Sequence, residues 1–275
     1  MKTVLNISGG LDSTYVLWKL LSTTQEEVTA VFFQSTHIDD DTRKKYNLGG
    51  ALRDNHFVND QQNEIIDIIG KWLKSNVRDF NIIKQKIDVS KLTVHEDPTK
   101  RNSINTYFTE WAVEQINLNT YDKMVLSYER TNEVYGIQDT PSETALKTGA
   151  ELCFDIFVSQ AKRGQLDFPL LDQENYIQTV ALVEMPEELV KLTSSCARMP
   201  INPCGECFKC KKRQFFCDQI KENKTHDEVL DIIKSNSMSE NGSWVSMKGW
   251  LFDQNTADDV IKPVPVWPTS YNKNT

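Results

Sequence analysis

No segment of this chain is more demanding than Ser8-Gly9-Gly10-Leu11-Asp12-Ser13, which must turn sharply between two apolar stretches. Before it, Val4-Leu5-Asn6-Ile7 ends a short strand that begins at Thr3. After it, Thr14-Tyr15-Val16-Leu17-Trp18-Lys19-Leu20-Leu21 has the length and character of a buried helix. The order is therefore strand, glycine loop, helix. Two adjacent glycines let the backbone turn its N–H groups toward one point and admit a ligand close to the chain. The helix adds N–H groups and the positive end of its dipole, and Ser8 and Ser13 add hydroxyls. Together Ile7, Ser8, Gly9, Gly10, Leu11, Asp12, Ser13 and Thr14 predict a phosphate cradle. The alternative is a glycine-rich turn with no ligand.

The rest of the chain supplies a sheet for that loop. Val28–Phe33 reads as a second buried strand, Asn81–Ile87 as a third, Lys123–Tyr128 as a fourth and Asp167–Leu171 as a short fifth. Helices are expected from a cap at Asn59 or Asp60 to about Val77, from Arg101 to Leu118, from Ser142 to about Ala161, and from Pro186 over 187–193. Strands alternating with helices indicate βαβ units, hence an α/β chain with a parallel five-stranded sheet and helices on both faces. Ile104, Tyr107, Phe108, Trp111 and Ala112 form an apolar stripe read as core, with a base-stacking platform as the alternative. Ligands of such sheets bind beyond the C-terminal strand ends. Arg101, at the start of its helix, and Glu129, just past the fourth strand, are therefore expected within reach of a central cleft, with a solvated loop as the alternative for Glu129.

Charge and cysteine usage narrow the partners. With 31 Lys+Arg against 39 Asp+Glu the formal net charge is −8, which gives no strong nucleic-acid signal. No apolar run is long enough to span a membrane, and Gly9 and Asp12 interrupt any signal-like segment. A cytoplasmic, reducing location is the expectation, and there cysteines suggest metal before disulfides. Cys196, Cys204, Cys207 and Cys210 have the spacing of a tetrahedral Zn²⁺ knuckle, with redox cysteines or an iron–sulfur cluster as alternatives. Four thiolates leave no open position, so the zinc is expected to be structural and remote from the phosphate chemistry. Cys153 and Cys217 are read as core residues.

The loop resembles the SGGxDS motif of the PP-loop ATP pyrophosphatases, matched at all five fixed positions. With the knuckle, the chain is similar to a divergent 7-cyano-7-deazaguanine synthase (QueC) family member. That family carries a serine or threonine and a cysteine, then C-G-x-C-x-x-C-x-x-R; Ser195-Cys196 and Cys204-Gly205-Glu206-Cys207-Phe208-Lys209-Cys210-Lys211-Lys212-Arg213 match it. A family Arg-Asn pair matches Arg101-Asn102, and a Pro-Leu pair matches Pro169-Leu170. The resemblance covers residues 1–34 and 98–216. The family's Pro-Asp-Cys-Arg after the fourth strand is absent, and its Asn-Lys after the fifth gives way to Asp172-Gln173-Glu174-Asn175.

This resemblance implies a Rossmann-like, adenine nucleotide alpha hydrolase-like fold. Domains would run 1–195 for the PP-loop unit, 196–217 for the zinc knuckle packed on it, and 218–275 for an extension, read as a flap or a partner contact. It implies ATP with Mg²⁺ and structural zinc as cofactors, and a homodimer. It also implies an ATP-dependent ligase that turns a deazapurine acid and ammonia into the nitrile 7-cyano-7-deazaguanine, releasing AMP and pyrophosphate. Catalytic roles follow for Asp12, Ser13, Arg101 and Glu129. Three other readings stay open: an amide product or another acid substrate, tRNA base thiolation, and a zinc-stabilised binding protein without catalysis.

Overall fold

The computed structural model describes residues 1–34, 56–86, 104–127, 165–167, 169–170, 177–194, 196 and 200–237. Arg101, Glu129, Cys153 and the helix expected over 142–161 lie outside the described residues. All five expected strands are present: β1 (Lys2–Asn6), β2 (Glu27–Gln34), β3 (Asn81–Lys86), β4 (Lys123–Val125) and β5 (Leu166–Asp167). They pair in parallel in the order β3-β2-β1-β4-β5. β1 is thus central, with Leu5 beside Ala30 on one side and Val125 on the other. Strands buried on both faces read as near-continuous apolar runs. The edge strand β3 is only partly buried and carries Lys84 and Lys86, which blunt an unpaired edge.

The helices among the described residues are α1 (Leu11–Thr23), α2 (His56–Asn76), α3 (Ile104–Asn117), α4 (Ile177–Glu184), α5 (Glu187–Leu192), α6 (Phe208–Lys221) and α7 (His226–Ser237). Alternation along β2 divides them between two faces. Val28, Ala30 and Phe32 join a core with Leu17 of α1, Ile66 and Ile69 of α2, Leu189 of α5 and Phe216 of α6. Phe33 faces the other way and meets Tyr107, Phe108 and Trp111 of α3 edge-on, with ring centroids 5.0–5.9 Å apart. The aromatic stripe of α3 is therefore core, as its spacing predicts. Cys217 is likewise a buried core thiol.

Two local differences from the sequence reading have physical causes. α2 begins at His56, so Asn59 and Asp60 lie within the helix instead of capping it. From its second turn on, Gln61, Ile65, Ile69 and Leu73 recur every four residues on one buried face. α4 was not expected, because a segment of eight residues with five apolar ones does not distinguish helix from strand by periodicity. It matters for the site, since it holds the helix that follows the glycine loop. Tyr15 Oη and Lys19 Nζ, both on α1, donate to Glu184 Oε2 at 2.8 and 2.7 Å.

Phe33, 1% exposed, is the side chain on which three rings of α3 converge. Phe33→Ala is expected to cost about 3–5 kcal/mol, the range for emptying a large buried aromatic site. A urea unfolding curve measures it; a loss below about 1 kcal/mol would mean that α3 does not depend on this contact.

Candidate functional site

β1 ends at Asn6 and α1 begins at Leu11, so the glycine loop occupies the C-terminal edge of the central strand. The strand order reverses direction there, between β1 and β4, which is where open parallel sheets bind ligands. Gly9 has φ +75°, a left-handed conformation, and a Cβ at Gly9 would stand 2.9 Å from Ile65 Cγ2 of α2. Glycine is required there for backbone angle and for space. Thr14 N–H makes the first bond of α1, to Gly10 O at 3.2 Å, so the positive end of α1 abuts the loop.

The two serines brace the loop from within. Ser13 Oγ accepts Ser8 N–H at 3.2 Å and lies 3.2 Å from Ser8 Oγ, which accepts Gly10 N–H at 3.3 Å. Ser13 and Thr14 are buried, while Ser8 is exposed and Gly10 partly so. Each hydroxyl has one proton to donate: one serine gives its proton to the other, and Ser13 Oγ also lies 3.5 Å from Gly10 O, so an anion would take a serine proton by displacing an internal bond. Asp12, in the first turn of α1, is partly exposed.

The loop is also held from outside. Ser194 N–H donates to Gly9 O at 2.9 Å. Ser194 follows Thr193, the residue that ends α5, and the pair forms a short strap against the loop. Ser194 Oγ accepts Cys196 N–H at 3.3 Å. Arg213 of α6 grips the same strap: Nη1 donates to Thr193 O at 2.9 Å and Thr193 Oγ1 at 3.0 Å, and Nη2 donates to Val190 O at 2.9 Å. Burial lowers the Arg213 pKa, opposed by the negative potential of Cys217, Cys210 and Asp12. Asp12 and Arg213 therefore feel one another, although one belongs to the loop and the other to the helix after the cysteines.

The knuckle itself is compact. The ligand atoms of Cys196, Cys204, Cys207 and Cys210 lie within 4.8 Å of one another. Cys196 Sγ stands 3.6 Å from Cys204 Sγ and 4.0 Å from Cys207 Sγ. A tetrahedral ion with metal–sulfur bonds of about 2.3 Å sets its sulfurs about 3.8 Å apart, so the residues fit a single ion. In an iron–sulfur cluster the thiolates sit on different irons, which spreads them further. Gly205, at φ +73°, makes the turn between Cys204 and Cys207. Backbone N–H groups converge on the sulfurs: Cys204 N–H on Cys196 Sγ and Cys207 N–H on Cys204 Sγ, both at 3.4 Å. The Cys210 thiol is pushed up by its hydrogen bond to Cys207 and by burial, and Cys204 by burial. Thiols so placed deprotonate together only with a cation among them.

Sequence reasoning named every residue of the loop and the knuckle, and the structure sets the two side by side. It did not find Ser194, whose contribution is a backbone N–H. Arg213 stood at the end of the quoted motif without a role, and a buried cation facing three carbonyl or hydroxyl oxygens is the feature that marks it. The purified protein is expected to carry about one tetrahedrally held ion per chain. Cys207→Ser should release that ion and lower the melting temperature, as metal analysis and a thermal melt will measure. Full metal retention would mean that Cys207 is not a ligand.

The comparisons with known proteins bear on this arrangement. The family model described as "Queuosine biosynthesis protein QueC" matches residues 2–219, which takes in both loop and knuckle. No curated protein matches the chain significantly. Among solved structures, the chain is similar to a U34-tRNA thiolase, NcsA, from Methanococcus maripaludis with its 4Fe-4S cluster. Identity is 9%, the alignment covers 97% of this chain and 84% of that one, and the TM-score is 0.39. At that score the likeness carries no weight for the metal or the substrate. The family match spans most of the chain's 275 residues, and the chain belongs to the QueC family of queuosine biosynthesis proteins.

Proposed function

We propose that this chain is an ATP-dependent carbon–nitrogen ligase that converts 7-carboxy-7-deazaguanine and ammonia to 7-cyano-7-deazaguanine, releasing AMP and pyrophosphate. The observation that carries this reading is the braced glycine loop at the switch point of the sheet, in a chain of a family of ATP-using enzymes. A carboxylate oxygen is a poor leaving group, and placing AMP on it makes it a good one. Ammonia displaces AMP to give an amide, and a second ATP-driven round removes the amide oxygen to leave the nitrile.

In this reading the backbone around Gly9 and Gly10, with the N-terminal end of α1, holds the departing pyrophosphate. Fixed N–H donors act where charge develops and need no reorganisation at the moment of reaction. Ser8 and Ser13 keep the loop open and offer their hydroxyls to the same oxygens. Asp12 orients the loop or holds Mg²⁺, which when bound neutralises the charge of the leaving group. Arg101 brings positive charge to a phosphate or to the substrate carboxylate, and Glu129 is the acidic group beyond the fourth strand. The knuckle holds zinc structurally: all four positions of a tetrahedral shell are taken by cysteine, leaving none for water or substrate.

The test is incubation with ATP, Mg²⁺, ammonium and 7-carboxy-7-deazaguanine, with mass spectrometry of the products. The nitrile with AMP and pyrophosphate supports the proposal. Accumulating amide places the chain among enzymes that stop one step earlier, and absence of AMP with any acid overturns the ligase reading. Asp12→Asn should leave a folded, metal-bound protein whose AMP formation falls by ~10²-fold or more, as when a principal electrostatic contact to the transition state is lost. Near-normal turnover at saturating ATP and Mg²⁺ would remove Asp12 from the mechanism.

A further inference from the structure

We propose that Ser194 and Arg213 are positioning residues of the phosphate loop, fixing the direction of the Gly9–Gly10 peptide through the strap at the end of α5. The starting point is covalent. A trans peptide is planar, so the carbonyl of Gly9 and the N–H of Gly10 point to opposite sides of one unit. Whatever holds Gly9 O therefore aims Gly10 N–H. Two adjacent glycines have the least intrinsic preference for one orientation over its flipped alternative. A flip would replace an N–H at the anion site by a carbonyl oxygen, turning attraction into repulsion.

Ser194 N–H, 2.9 Å from Gly9 O, opposes that flip from one side, and Ser8 Oγ, accepting Gly10 N–H at 3.3 Å, opposes it from the other. A Cβ on Gly10 would stand 3.7 Å from Ser194 O, so the strap passes close to both glycines of the loop. The strap is held in turn by Arg213, whose three bonds to Val190 O, Thr193 O and Thr193 Oγ1 span 2.9–3.0 Å. Thr193 is buried, so these acceptors would be left without water if the guanidinium were removed. Cys196 N–H on Ser194 Oγ adds an anchor from the knuckle. Arg213 stands on α6, the helix that Cys207 caps and that carries Cys210 in its first turn. The two residues thus join the metal-binding end of α6 to the peptide that meets the phosphates.

The catalytic part of this inference rests on the ATP reading above, and the loop geometry does not, so the test separates the two. Ser194→Pro deletes the N–H donor together with the hydroxyl that accepts Cys196 N–H, and Ser194→Ala, which removes the hydroxyl alone and should leave exchange at residues 8–10 unchanged, separates the two. Thr193, at φ −76° and ψ 146°, already has the extended conformation that a following proline requires. Arg213→Ala removes the strap's grip, and Arg213→Lys keeps the charge but loses the fork that reaches separate carbonyls. Lys191→Ala, on the exposed side of α5, is the control. Hydrogen–deuterium exchange is followed at residues 8–10 and at β2 in the full-length, metal-bound proteins, together with metal content and the kinetics of AMP formation.

Ser194→Pro and Arg213→Ala are expected to retain the metal and the protection of β2, with exchange at residues 8–10 at least ~10-fold faster. The kcat for AMP formation should fall by at least ~10-fold with the KM for the acid little changed, and Arg213→Lys should recover only part of the loss. Unchanged exchange at residues 8–10 in both variants overturns the inference. So does uniform loosening in which β2 exchanges as fast as the loop, which would make Arg213 a support of the whole fold. If the parent protein forms no AMP with any acid, the ATP reading fails while the exchange data still decide the role of the strap.

Discussion

The left-handed turn at Gly9 is the constraint around which the described parts of this molecule are arranged. Its φ of +75° is open to glycine and strained for residues with a side chain. Three elements distant in sequence converge on it: β1 delivers it, Ile65 of α2 closes on its Cα, and Ser194 takes its carbonyl. None of these contacts is large. Together they convert the most adaptable backbone in the chain into a fixed concave surface. The sheet serves the same end, because a central strand paired on both sides cannot shift its register without disturbing four others.

The cysteine knuckle gains a second meaning from its neighbours. Ligand count alone presents it as an isolated staple, and its sulfur spacing agrees with one tetrahedral ion. Yet Cys196 reaches Ser194 directly, and α6, which starts in the knuckle, sends Arg213 to Thr193. The expectation that the metal is remote from the phosphate chemistry leaves out these ties between the knuckle and the backbone of the loop.

Most of the architecture was legible in the sequence because its signals are those of burial. Val28–Phe33 and Val4–Ile7 read as strands since both of their faces are covered. The glycine pair and the cysteine spacing were legible for a different reason: few other residues can adopt those angles or fill those ligand positions. What escaped is what leaves no side-chain signature. Ser194 acts through an N–H that any residue except proline would supply. α4 spans barely two helical periods, and α2 extends upstream to His56 where a cap at Asn59 or Asp60 looked sufficient. Arg213 could be seen but not interpreted, since its partners are backbone oxygens of a helix end. Arg101 and Glu129 fall outside the described residues, and their parts in the chemistry stand as proposals.

The bond between Ser194 and Gly9 has a consequence for the order of events at synthesis. Gly9 leaves the ribosome long before Ser194, the donor that fixes its carbonyl and one of the later residues of the family-matched segment. A nascent chain can therefore own the complete glycine motif, and even the strand and helix that flank it, without a shaped anion site. That shape arrives only when α5, the strap and α6 have emerged and folded back, a long-range closure of the kind that slows folding. Until then the earlier-made part of the site remains its less finished part, and the shape of the loop reports that the chain has been made past Arg213.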